Sequence, residues 1–187
     1  MLTDEATSAA VIEAIGRAAQ DLSAGDTFLL TYSGHGGQVP DANGDEDDGQ
    51  DETWVLYDRM LVDDELYQLW SQFSAGVRIF MLSDSCHSGT VARNRAYQQL
   101  LSTATGAGQY RTTRSAPPKR RAIPAETAQQ VYNAHRDLYR TAQWISGKGD
   151  RSSVNACILL ISGCQDNQLS ADGDGNGLFT GTLKEVW

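Results

Sequence analysis

Two short segments of this chain carry residues suited to nucleophilic chemistry. Cys86 lies in SDSCHSG, and His35 lies in YSGHGG, 51 residues earlier. A thiolate attacks carbonyl carbon well, but an ordinary cysteine at neutral pH is mostly thiol. It needs a partner that takes and returns a proton, and that partner is usually histidine. Three histidines are present. His87 adjoins Cys86 and, on an extended segment, points away from it. His135 falls on the apolar side of a helical pattern, where a structural role is the simpler reading. His35 lies in a glycine-rich turn, and glycine lets backbone approach a substrate closely. The nucleophile and its base are therefore read as Cys86 and His35. A buried structural thiol is the alternative for Cys86, but SDSCHSG is too polar for a core.

The elements around these residues explain how they meet. Residues 4–22 read as an amphipathic helix, with Val11, Ile12, Ile15, Ala19 and Leu22 at helical spacing, Thr3 as cap and Gly25 as stop. Thr27 to Tyr32 reads as a buried strand, followed by the turn SGHGG. Thr53 to Tyr57 reads as a short exposed strand, Asp63 to Phe73 as a helix, and Val77 to Leu82 as a second core strand running into SDSCHSG. Pro124 to Ile145 returns to helix, with Val131, His135, Leu138, Ala142 and Ile145 roughly in line. Ala156 to Ser162 is a third core strand, and LFTGTLKEVW is a last amphipathic segment. Apolar strands separated by helices indicate an α/β fold with a mostly parallel sheet. Sites in such sheets form at the carboxyl ends of the strands. His35, Cys86 and the run Cys164-Gln165-Asp166 each follow one of them.

Composition narrows the function classes. The 187 residues fit one domain. Fifteen Lys and Arg against 24 Asp and Glu give a net charge of −9, which argues against nucleic-acid binding. No apolar run approaches the ~18 residues of a membrane span. The N-terminus, MLTDEATSAA, has no signal-peptide pattern. Three cysteines with no C-x-x-C favour neither a disulfide framework nor structural zinc, and a reducing, cytoplasmic setting is expected. The charge is segregated: Asp41 to Glu52 holds seven acids and no base, and Arg93 to Arg121 seven bases and no acid. The acidic stretch has EF-hand-like spacing, but Glu46 stands where the sharp-turn glycine belongs and Asp48 where an apolar residue belongs. The run from Asp172 has Leu183 at its twelfth position. Neither is a good EF-hand.

YSGHGG and DSCHSGT resemble the two catalytic motifs of the caspase-like cysteine peptidases, in the metacaspase and prokaryotic orthocaspase branch. The His-to-Cys spacing matches the roughly 50 residues of caspase-type enzymes. SGCQDNQLSADG (Ser162 to Gly173) and VDDEL (Val62 to Leu66) resemble further segments of the branch. The resemblance implies a caspase-like three-layer sandwich in one peptidase domain. A large-subunit-like part (1–92), a basic linker (93–123) and a small-subunit-like part (124–187) would follow one another. The family's first strand–helix–strand unit is expected to be lacking.

The resemblance also implies a cysteine endopeptidase that cleaves protein or peptide substrates after Arg or Lys. Gly36 and Cys86 N–H groups would form the oxyanion hole. Asp84 matches a family pocket acid, and strand periodicity puts its side chain on the side of Cys86. Asp166 is the second pocket candidate. A carboxylate pair would bind a guanidinium by charge-assisted, bidentate bonds. Asp51, Asp63 and Asp64 match three family ligands for activating calcium, while the fourth position holds Arg93. The same Asp63 and Asp64 also suit a helix start. Self-cleavage is expected at Arg111, Arg114, Lys119, Arg120 or Arg121, in an exposed, flexible stretch. A monomer is expected. The competing readings are an inactive caspase-like interaction module and a calcium-binding module.

Overall fold

The structure is a computed structural model that describes residues 1–46, 49–85, 122–146, 153–163 and 178–186. Helix α1 (Ser8–Asp21) leads into β1 (Thr27–Ser33). Strands β2 (Gly36–Pro40), β3 (Gln50–Val55) and β4 (Met60–Val62) follow, then helix α2 (Asp63–Ser71) and β5 (Arg78–Asp84). Helix α3 (Ala125–Ser146), β6 (Cys157–Ser162) and helix α4 (Leu178–Val186) complete the described elements. Strands β1, β5 and β6 pair in parallel in the order β1-β5-β6, and β2, β3 and β4 form a small antiparallel sheet in that order. The expected α/β architecture, a parallel sheet flanked by helices, is the one observed.

Helices α1 and α2 cover one face of the parallel sheet. Ile15 and Ala19 of α1 and Leu66, Leu69 and Trp70 of α2 pack with Ile79 and Met81 of β5, all buried. Burying the leucines, isoleucines and methionine of this set contributes roughly 1.5–3 kcal/mol each. Leu29, on the opposite face of β1, is 60% exposed. Among the described residues no helix is long and apolar enough to cross a membrane.

Several local expectations need correction. Helix α1 starts later than residue 4: Thr7, not Thr3, is its cap, its hydroxyl accepting the Ala10 N–H, while Asp4 and Glu5 lie in a preceding 3₁₀ turn. The side chain of Asp58 accepts both the N–H and the hydroxyl of Ser8, each at 2.7 Å, and this long-range tie fixes the helix start. The strand expected to be exposed at 53–57 is β3, which spans Gln50–Val55 and is largely buried because β2 and β4 flank it. Helix α3 is turned relative to its expected face. Leu138 and Ile145 are 41% and 62% exposed, while Tyr139 and Gln143 are fully buried. Its backbone departs from helical geometry at His135, which shifts the phase of the buried face.

Candidate active site

The carboxyl ends of the three parallel strands lie level. Ser33 pairs with Asp84 and Ser83 with Ser162. Just beyond them, the Gly34 N–H donates to the Asp84 carbonyl at 3.3 Å and the Gly163 N–H to the Ser83 carbonyl at 2.9 Å. His35 follows β1 by two residues, and in sequence Cys86 follows the last residue of β5 by two. Paired strands are about 4.8 Å apart. The motifs singled out in the sequence therefore leave neighbouring strands at one edge.

His35 is exposed, but its backbone is clamped. Its carbonyl accepts the Tyr32 hydroxyl at 2.7 Å and the Val55 N–H at 3.0 Å. The Tyr32 ring stacks on buried Trp54, with centroids 4.4 Å apart. A Cβ on Gly34 would lie 2.6 Å from the Tyr32 hydroxyl oxygen and 2.8 Å from its ring carbon. Only glycine allows so close a passage over the ring. Gly36 is buried at the start of β2, opposite Trp54, and its carbonyl accepts the Ile123 N–H at 3.0 Å. Tyr32 and Gly34 belong to the motif, yet only contact with β3 reveals what they do.

Asp84 is 2% exposed. Its Oδ2 accepts the Thr180 hydroxyl at 2.5 Å and the Thr180 N–H at 3.3 Å, so a residue of α4 holds it. The sequence carries no signal for this contact, which spans 96 positions. Cys86, His87, Arg93, Cys164 and Asp166 lie outside the described residues. So do the cleavage candidates Arg111, Arg114, Lys119, Arg120 and Arg121.

A second polar centre lies between β3 and the start of α2. Asp51, Asp63 and Asp64 are all buried. Burial pushes the Asp51 carboxyl up to about 8, helped by the charges of Asp64, Asp41, Asp45 and Glu46. Asp64 is pushed up to about 7 by burial and by Asp45 and Asp41, against a lowering hydrogen bond from Asn43. Asp63 is raised well above the ordinary range by burial and by Asp51, Asp64, Glu52 and Glu46. Among the described residues, the carboxylates whose oxygens come within 4.8 Å of one another are Asp41, Asp45 and Asp51. Asp51 is thus grouped with two loop acids, while the charge of Asp64 raises it and its own charge raises Asp63. Asp41 also shapes that loop: its Oδ1 accepts the N–H groups of Asn43 and Gly44, and its Oδ2 that of Glu46. An all-oxygen set of carboxylates suits a hard cation such as calcium. The mutual repulsion of these buried acids is what a divalent ion would relieve.

Helix α3 reaches this centre through Gln143. Its Nε2 donates to an oxygen of Asp51 and to the Pro40 carbonyl at 3.0 Å, and its Oε1 accepts the Ala42 N–H at 3.0 Å. Asn43 bridges further, donating to both oxygens of Asp64 and to the Gln143 carbonyl.

Comparison with known proteins bears on these features. The profile of the metacaspase peptidase C14 domain matches residues 1–94. Similar curated proteins include Metacaspase-1 of Kluyveromyces lactis, 29% identical over 95% of this chain and 44% of that protein. Metacaspase-1 of Coccidioides immitis is 31% identical over 95% of this chain and 40% of its own length. Metacaspase-1 of Saccharomyces cerevisiae is 30% identical over 97% and 45%. The chain thus spans less than half the length of these relatives. The crystal structure of a Geobacter sulfurreducens protein, 49% identical, matches with a TM-score of 0.76 and covers 100% of this chain and 64% of that one.

Proposed function

This chain belongs to the metacaspase C14 peptidases, and from that premise we propose that it is a cysteine endopeptidase cleaving after Arg or Lys through Cys86 and His35. The observation that supports this most is the level pairing of Ser33 with Asp84, because both motifs then leave adjacent parallel strands at one edge. In the proposed reaction Cys86 Sγ, its proton passed to His35, attacks the carbonyl carbon of the scissile bond. The oxyanion is held by the N–H groups of Gly36 and Cys86, donors whose removal typically costs about 3–4 kcal/mol each. His35 protonates the leaving amine. It then takes a proton from the water that releases the acyl group from sulfur. Asp84 supplies negative charge for the substrate's cationic side chain, with Asp166 as its proposed companion.

Two further parts belong to this reading. Calcium would be held by Asp51 with Asp63 and Asp64, joined by Asp41 and Asp45, and would supply the positive charge that these buried carboxylates lack. Arg111, Arg114, Lys119, Arg120 and Arg121 offer the enzyme its own preferred residues, so self-cleavage between 111 and 121 is proposed. The protein is expected to act on protein or peptide substrates as a monomer in the cytoplasm.

The test is hydrolysis of fluorogenic peptides ending in Arg, Lys or Asp, with and without millimolar calcium, with Cys86→Ala as control. Turnover of Arg and Lys peptides that vanishes in the mutant is the expected result. Turnover of the Asp peptide alone, or activity surviving in Cys86→Ala, overturns the reading. Intact mass after long incubation reports self-cleavage, and an unchanged mass in active enzyme counts against it.

A further inference from the structure

We propose that Thr180 is the residue that positions Asp84 for substrate selection, while Gly163 keeps the other oxygen of that carboxylate within reach. This rests on the reading of Asp84 as the acid that meets the substrate's Arg or Lys. Three elements converge on the Asp84 side chain. It closes β5 and is 2% exposed. From α4, Thr180 donates its hydroxyl and its N–H to the same oxygen, Oδ2, at 2.5 and 3.3 Å. Two donors from one residue fix both the direction and the rotation of the carboxylate. From the end of β6, Gly163 faces the other oxygen. A Cβ there would lie 3.2 Å from Oδ1 and 3.0 Å from the Phe179 Cβ. The Gly163 N–H is bonded to the Ser83 carbonyl at 2.9 Å, so this backbone is anchored to the strand that carries Asp84.

The chemistry of the donors matters as much as their geometry. A lysine or arginine in the place of Thr180 would hold the carboxylate equally well but would cancel its charge. The Thr180 hydroxyl and N–H orient the carboxylate without themselves bringing a positive charge to it. Selectivity in this reading depends on a residue of the last described helix, 96 positions beyond the acid it serves.

The experiment compares wild type, Thr180→Val, Thr180→Ser, Gly163→Ala and Asp84→Asn on a fluorogenic peptide ending in Arg. Thr180→Val is expected to raise KM about ten-fold, the loss of a hydrogen bond to a charged group, with kcat within about two-fold. Thr180→Ser keeps the hydroxyl and is expected to restore KM to within about two-fold, a rescue that a packing role would not give. Gly163→Ala should raise KM as its methyl group crowds Oδ1. The same peptide titrated calorimetrically into these variants on a Cys86→Ala background reads affinity without turnover. If Asp84→Asn leaves Arg-peptide KM and affinity unchanged, the acid has been misassigned and the inference falls with it. If Asp84→Asn loses affinity but Thr180→Val does not, the role of Thr180 alone is overturned. Should Thr180→Val fail to fold, Thr180→Ala decides: a raised KM supports the proposal and an unchanged one overturns it. A wild-type chain that neither cleaves nor binds the peptide overturns the proposed specificity and this inference together.

Discussion

Tyr32 illustrates how the side chain proposed as the base is set by its backbone. The His35 carbonyl takes two hydrogen bonds, one from the Tyr32 hydroxyl and one from the Val55 N–H. Tyr32→Phe keeps the stacking on Trp54 and removes only the hydroxyl. A net loss of about 0.5–1.5 kcal/mol is expected, which lowers Tm by roughly 1–6 °C in a chain of this size. We expect kcat to fall several-fold at unchanged KM, because the turn carrying His35 loses one of its two restraints. Steady-state kinetics beside a thermal melt would check this. Gly34→Ala is the harsher change, since its methyl group would meet the phenol at 2.6 Å and force the turn to move. A kcat below that of Tyr32→Phe is expected, and a Gly34→Ala enzyme with wild-type kcat would refute the clamp. YSGHGG was legible as a site because its histidine and glycines are chemically conspicuous. The clamp was not, because it depends on Val55, twenty residues further along and on another sheet.

At the scale of elements, helix α3 shows where pattern reading stops. Apolar periodicity selects Leu138 and Ile145 as inner residues, yet both are exposed, and the buried residues are Tyr139 and Gln143 on another face of the helix. The rule assumes that an inner face is apolar. Here the face must satisfy a carboxylate, a carbonyl and an N–H of the acidic loop, and a carboxamide supplies both donors and an acceptor. Gln143→Leu has nearly the same volume and leaves all three groups unpaired. It should destabilise by about 2–4 kcal/mol, seen as a Tm lowered by roughly 4–16 °C. A loss below one degree would show that water replaces the amide without cost. The strands divide in the same way. β1, β5 and β6 are near-continuous apolar runs, so they were legible as strands, but the expected burial of β1 and β6 is not seen, since neither has a buried residue. β2 begins with two glycines that read as a turn, and β3 buries Asp51 and Glu52, which no alternation rule would place inside.

For the molecule as a whole, the buried acids tie stability to pH. Asp51 and Asp64 titrate near 8 and 7 in the folded chain, Asp63 is also raised, and unfolded aspartates titrate near 3.8. Between those values the folded chain holds more protons than the unfolded one, so stability falls as pH rises from about 4 to about 8. With a chelator present, Tm should therefore be higher at pH 5.5 than at pH 8. Calcium should raise Tm more at pH 8, where the carboxylates are ionised, than at pH 5.5, where it competes with protons. A Tm that climbs steadily from pH 5.5 to 8 in chelator would contradict the burial of these groups. The net charge of −9 and the acidic run Asp41 to Glu52 were legible from composition. Which acids crowd together was not, since Asp41, Asp45 and Asp51 meet only after the loop has folded. The contact between Gln143 and Asp51 spans 92 positions, and this separation bears on biosynthesis. At roughly 5–20 residues per second, about 5–20 s pass on the ribosome between the synthesis of the acid and that of the amide that caps it. During that interval the nascent chain carries its acidic loop without the amide that later holds it.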